Sequence, residues 1–187
     1  YLFYMGAPNW PEGPTAVGFA TSTEGTTFLR SRDNPILTGD ESGFDSYTVG
    51  APVVLREGDT WIMYFYGGDC CEPFDGYAIG RATAPSPEGP WERLEDPVLT
   101  PGSAGAWDAS WIAPTSVVKV NGTYMMYYMG GNNKIHDPSV WMTGMATSTD
   151  GINWVKYDDP ATTEPPYADS DPVLTPAAAG NANAKAA

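Results

Sequence analysis

Two short stretches carry almost unbroken apolar and aromatic side chains: Trp61 to Tyr66 (WIMYFY) and Tyr124 to Met129 (YMMYYM). Each ends on a glycine pair, Gly67-Gly68 or Gly130-Gly131. Runs of this length suit a β-strand covered on both faces and are short for a buried helix. Upstream of each lies an Ala-Pro segment, Ala51 to Leu55 and Ala113 to Val120. It reads as a strand with proline at or near its start, where a missing N–H costs no ladder bond. Between them, Glu57-Gly58-Asp59 and Asn121-Gly122 are hairpin signals. Downstream, after a connection of variable length, Tyr77 to Ala82 and Trp141 to Ala146 predict a third strand. Pro87-Glu88-Gly89 and Thr149-Asp150-Gly151 then turn the chain toward an aromatic anchor, Trp91 or Trp154, that opens a fourth. Asp96-Pro-Val-Leu99 and Asp171-Pro-Val-Leu174 close the units.

Part of the same order occurs once more at the front of the chain. Tyr1 to Ala7, Val17 to Ser22, the turn Ser22 to Gly25, Phe28 and Asn34-Pro-Ile-Leu37 match strands two to four. From Pro52 to Pro114 is 62 residues, and from Gly67 to Gly130 is 63. No segment keeps a helical period over three turns. The expected fold class is therefore all-β: a β-propeller of four-stranded antiparallel blades. Residues 1–37 form a partial blade, 44–99 and 107–174 form whole ones, and 177–187 (AAAGNANAKAA) read as a flexible tail. Tyr1 opens inside a strand pattern with neither Met nor leader before it, which implies a processed leader or further residues upstream.

Composition narrows the partners. With 187 residues, 42% hydrophobic and 13% aromatic, the chain has enough material for a packed core. No apolar run approaches membrane-spanning length. A net charge of −14 repels phosphate backbones and anionic headgroups, so nucleic acid and membrane insertion are not expected. Such acidity suits solubility in a secreted, extracellular or cell-surface setting.

Ala-Pro and its strand, Gly122-Thr-Tyr-Met-Met-Tyr-Tyr128, Ala146-Thr-Ser-Thr-Asp-Gly-Ile-Asn-Trp154 and Asp171-Pro-Val-Leu174 together resemble a known superfamily. It is that of the five-bladed propellers of glycoside hydrolases related to family 43 arabinanases and xylosidases and to family 32 invertases. Ser148 to Trp154 is also similar to the Asp-box of sialidase-type propellers, one residue short in spacing, and is read as a turn. The resemblance implies a five-bladed ring, a carbohydrate partner and glycoside hydrolase-like chemistry. Five units at this spacing need about 310 residues. The chain therefore reads as incomplete, with further blades or self-association closing the ring.

In an up-and-down blade the loop entering strand one and the loop joining strands two and three share a rim. Here those are the long, irregular connections, where sites concentrate on rigid scaffolds. They bring Trp10, Asp45, Tyr47, Asp69, Glu72, Trp107, Asp108, Trp111, His136 and Asp137 to one face. Indole and phenol rings stack on the C–H faces of a sugar, and carboxylates accept from its hydroxyls or act as acid and base. Family 43 implies an aspartate directly before the first strand's proline in one blade, another just after Ala-Pro in the next, and a glutamate on a third. In this chain Ala51 and Ala113 precede the prolines, and Val53 and Thr115 follow them. A catalytic set would then draw on Asp45 and Asp108 or lie partly in other blades. The alternative is a non-catalytic glycan-binding or assembly module.

Asp45 and Asp108 stand at nearly the same offset before Ala-Pro, and a residue repeated from blade to blade is more often a structural cap or turn acceptor than a catalyst. Trp107, Trp111 and Tyr47 equally fit packing between blades. His136 is the single histidine, so a multi-histidine metal site is excluded. No cofactor is implied; a calcium ion at Asp69, Glu72 and Asp75 is the one metal the spacing admits, without an EF-hand pattern. Cys70-Cys71 is the whole cysteine inventory, and adjacent cysteines fit ordinary disulfide geometry poorly.

Overall fold

The structure, a computed structural model, describes residues 1–8, 13–69, 76–132 and 141–176. The described residues contain strands and no helix. The first sheet holds β1 (Leu2–Gly6), β2 (Ala16–Thr21) and β3 (Leu29–Arg30), in that order. The second holds β4 (Thr48–Glu57), β5 (Thr60–Gly68), β6 (Ala78–Ala84) and β7 (Glu92–Arg93). The third holds β8 (Trp111–Val120), β9 (Thr123–Gly131), β10 (Met142–Ser148) and β11 (Val155–Lys156), with β12 (Pro172–Leu174) sharing the β11 edge of β10. Every pairing within a blade is antiparallel. Leu37 and Leu99 make the matching bridges to Val17 and Ile79, so each closing Pro-x-Leu completes a split outer strand.

The blades stack face to face, and that explains the unbroken apolar runs. Along β5, Met63 and Phe65 face the first blade while Ile62 and Tyr64 face the third. The layer between blades one and two contains Val17, Leu37, Val49, Met63, Phe65 and Ala82. Ile62, Tyr64 and Ile79 meet Trp107, Tyr124, Met126 and Tyr128 between blades two and three. Gly18, Gly80 and Gly144, at equal places on the third strands, make room for the rings of Tyr4, Phe65 and Tyr128; a Cβ at any of them would collide with that ring.

The prolines correct one expectation. The strands begin at Thr48 and Trp111, so Pro52 and Pro114 sit inside them rather than at their starts. Each lies at a bulge, between Gly50 and Val53 or between Pro114 and Ser116. A bulge leaves an extra residue out of the ladder, which is where a strand accommodates a missing donor. In the first of them Ala51 takes a φ of 45°, a left-handed conformation that L-residues resist.

Candidate functional site

Register places the first-strand starts, second-strand ends and third-strand starts together. Thr48 pairs with Gly68 and Gly67 with Ala78; Trp111 pairs with Gly131 and Gly130 with Met142. Neighbouring blades are joined along this rim by backbone hydrogen bonds. Val49 N–H donates to the Thr15 carbonyl at 3.2 Å, and Ile112 N–H donates to the Tyr77 carbonyl at 2.9 Å. Gly76 N–H adds a bond to the Ser110 carbonyl at 2.7 Å.

Side chains above those links differ from junction to junction. Between blades one and two, the Thr15 and Thr48 hydroxyls lie 2.8 Å apart, Thr15 N–H donates to Thr48 Oγ1 at 2.9 Å, and Tyr66 Oη is 2.9 Å from Thr15 Oγ1. Burial raises the Tyr66 phenol, keeping it a donor. Between blades two and three the rim is aromatic. Tyr66 and Tyr77 stack with centroids 5.5 Å apart, and Trp111 meets Trp141 edge-on at 5.6 Å. Neither indole N–H of that pair has a hydrogen-bond acceptor among the described residues. Tyr47 stands half-buried at the same rim with its N–H on the Gly68 carbonyl, and Asp69 and Asn132 continue exposed beyond the second strands.

The other predicted residues lie elsewhere. Trp107 is buried against its own blade, stacked on Tyr128 at 5.7 Å and 21°, with its indole N–H on Ser170 Oγ at 3.1 Å. Phe44 occupies the equivalent place, stacked on Phe65. The aspartate that follows each ring is buried too. Asp45 is 3% exposed and Asp108 0%. Asp45 Oδ2 accepts from Arg93 Nη1 at 2.6 Å, and Asp108 Oδ2 from Lys156 Nζ at 2.6 Å. Both pairs join residues 48 apart in the chain. Desolvation raises the Asp45 carboxyl above the ordinary aspartate value, although the Arg93 charge and hydrogen bond pull the other way. Tyr128 donates to Asp108 Oδ2 at 3.1 Å, and burial together with the Asp108 charge pushes that phenol far up. A Cβ at Gly67 would collide with the Asp45 Cβ, and one at Gly130 would press tightly against that of Asp108.

Thus the rim gathers Tyr47, Asp69 and Trp111, while Asp45, Trp107 and Asp108 pack on blade faces beneath it. Trp10, Glu72, His136 and Asp137 lie outside the described residues, as do Cys70, Cys71 and Asp75. Among the described residues no three or more His, Cys, Asp or Glu side chains come together to hold a metal ion. Arg93 and Lys156 were missed by sequence reasoning. A signal existed: Arg30, Arg93 and Lys156 each stand two residues after the aromatic anchor, in a chain with only 9 Lys and Arg.

No protein-family model matches the sequence, and no curated protein matches it. Solved structures do resemble the fold. A family 117 glycoside hydrolase of the marine bacterium Zobellia galactanivorans superposes with a TM-score of 0.67 at 21% identity, over 88% of this chain and 44% of that one. A thermostable family 43 glycoside hydrolase gives 0.63 at 17% identity, over 92% and 52%. A GH32 β-fructofuranosidase from Bombyx mori, solved with sucrose, gives 0.59 at 16%, over 82% and 33%. The fold is that of the propeller glycoside hydrolases related to families 43 and 32. These residues span from a third to about half of such a protein.

Proposed function

We propose that this chain belongs to a secreted, carbohydrate-active propeller and contributes a glycan-binding rim, with a polysaccharide or oligosaccharide as its partner. The observation that carries this reading is the aromatic cluster where the irregular connections emerge, in which Tyr66 and Trp141 stand half-buried beside the buried rings of Tyr77 and Trp111. Partly exposed aromatic rings beside exposed polar side chains suit the mixed apolar and hydroxylated surface of a sugar. The propeller fold supports a glycan partner by analogy, and fold analogy does not identify chemistry.

Hydrolysis is the finer form of the proposal, and it needs two carboxyl groups free to face a glycosidic bond. Asp45 and Asp108, the candidates in the sequence, are engaged by Arg93 and Lys156. Binding by this chain, with reacting carboxylates supplied by other blades, therefore has the stronger support. Intrinsic tryptophan fluorescence, titrated with a panel of plant and microbial oligosaccharides, tests it. A saturable change with at least one glycan is expected, weakened about tenfold by Trp141→Ala, as loss of an aromatic face predicts. A panel without a hit, or a hit untouched by that substitution, would remove the rim from the account.

A further inference from the structure

The hairpins that join strands one and two close differently in the two whole blades. In blade two the turn between Glu57 and Thr60 is Gly58-Asp59, and only its glycine has a positive φ, 58°. In blade three Asn121 at φ 51° and Gly122 at φ 86° join Val120 to Thr123, so both central residues are left-handed. Such a turn selects Asn-Gly, because asparagine tolerates that conformation and glycine takes it without strain. It also leaves two reactive groups side by side and uncommitted. Asn121 and Gly122 are both exposed. Neither the Asn121 side-chain amide nor the Gly122 N–H has a hydrogen bond among the described residues.

The other described asparagines are placed differently. Asn34 precedes Pro35, and its amide is held at both ends, Oδ1 accepting from Phe19 N–H at 2.7 Å and Nδ2 donating to the Phe19 carbonyl at 2.9 Å. Asn153 donates to Asp150 Oδ2 at 2.7 Å and precedes Trp154, and Asn132 precedes Asn133. In the whole chain only Asn121 is followed by glycine, whose missing side chain leaves its nitrogen open to approach.

From this we infer that Asn121 is a modification site, at which the side-chain amide is lost to the backbone of Gly122 without an enzyme. The Gly122 nitrogen attacks Asn121 Cγ, and the new N–Cγ bond closes a cyclic imide. The Cγ–Nδ2 bond breaks, and that nitrogen leaves as ammonia with the proton given up by Gly122. Water then opens the imide. Cleavage of the new bond leaves an aspartyl residue; cleavage of the original peptide bond leaves an isoaspartyl residue, whose main chain runs through Cβ and Cγ. Either product replaces a neutral amide by a carboxylate. The isoaspartyl form also lengthens the main chain inside the turn that sets the Val120–Thr123 and Lys119–Tyr124 pairings. Lys119 Nζ lies 3.0 Å from Glu57 Oε1, and Tyr124 donates to Glu57 Oε2 at 2.6 Å. Conversion of this one dipeptide therefore loosens a contact between blades two and three.

Incubation of the folded 187-residue chain in warm, mildly alkaline buffer, which favours loss of the Gly122 proton, tests the assignment through peptide mapping by mass spectrometry. The fragment carrying residue 121 should gain the small mass by which a carboxyl exceeds an amide and split into aspartyl and isoaspartyl forms. Fragments with Asn34, Asn132 and Asn153 should stay unchanged, and the urea midpoint of the incubated chain should fall. Asn121→Gly keeps a turn that Gly-Gly also forms, which circular dichroism verifies, and should neither gain that mass nor lose midpoint. A parallel sample is held unfolded in guanidinium chloride, where no fold opposes the reaction. Conversion at residue 121 only when unfolded, conversion in neither sample, or equal conversion at Asn132 or Asn153 in the folded chain would each overturn the assignment. Full conversion at an unchanged midpoint would overturn the link to the blade junction.

Discussion

The junction between the first two blades and the junction between the second and third share the form of their main-chain link but differ in most of the side chains around it. At the first, three hydroxyl groups from Thr15, Thr48 and Tyr66 satisfy one another, and the ion-pair clamp on Asp45 uses an arginine that is 20% exposed. At the second, the rings of Tyr77, Trp111 and Trp141 stand where the first has threonines, with the Tyr66 ring reaching both, and Asp108 is completely buried between Lys156 and Tyr128. The second junction also gains a pin at the opposite end, where Tyr124 donates to Glu57 Oε2 at 2.6 Å and Tyr64 donates to the Gly151 carbonyl at 2.8 Å. Burial holds the Tyr64 phenol up at about 12, so it stays a donor throughout the ordinary pH range. A repeated backbone solution thus leaves the rim side chains free to diverge.

The largest test of the comparison is to cut each clamp. Asp108→Ala leaves a nearly buried ammonium without its counter-ion and Tyr128 without its acceptor, and should cost about 3–5 kcal/mol in urea unfolding. Asp45→Ala should cost less, about 1–3 kcal/mol. Arg93 reaches more solvent and keeps a bond from Nη2 to the Thr38 carbonyl at 2.8 Å. Equal losses, or the reverse order, would mean that the depth of the ion pair does not separate the junctions. Retention of fold with loss of sugar turnover in Asp108→Asn would instead return that residue to chemistry.

A smaller effect is expected at the hydroxyl junction. Thr48→Val keeps the shape but removes the acceptor for Thr15 N–H and a partner of Thr15 Oγ1, leaving a buried donor unsatisfied. That should cost about 1–3 kcal/mol, read as a lower urea midpoint with an unchanged slope. A silent substitution would mean that the backbone link from Val49 to Thr15 holds this junction by itself.

How much of this could be read in the chain depends on how far apart the cooperating residues are. Strands, hairpins and aromatic anchors announce themselves within ten residues, through the apolar runs ending at Gly68 and Gly131 and the turn at Asn121-Gly122. The bulges were not legible, because Pro52 and Pro114 look the same whether they start a strand or interrupt one. Nor was the setting of Asp45 and Asp108. Their offset before Ala-Pro puts them near the rim, but their partners stand 48 residues away on an outer strand. Trp111 sits at the first-strand start because its pairing with Gly131 is set by the adjacent hairpin. Trp107, four residues earlier and outside the strand ladder, stacks on Tyr128, with its backbone N–H on the Pro166 carbonyl.

The finest distinction between the junctions is their response to acid. Glu57 at the second junction lies below the ordinary glutamate value, chiefly because the Tyr124 hydroxyl donates to it. Its contribution is complete above the unfolded value and is lost as pH falls through the folded one. Asp45 at the first junction behaves oppositely. Desolvation raises its carboxyl, so its contribution is complete below the unfolded value and is lost as pH rises through the folded one. Urea midpoints taken from about pH 7 down to about pH 3 should therefore diverge in a defined way. The advantage of the parent chain over Tyr124→Phe should shrink as acid is added, while its advantage over Asp45→Asn should grow. Two differences that change with the same sign would show that the Arg93 charge, not desolvation, governs Asp45, and the first clamp would then be as favourable an ion pair as its buried neighbour.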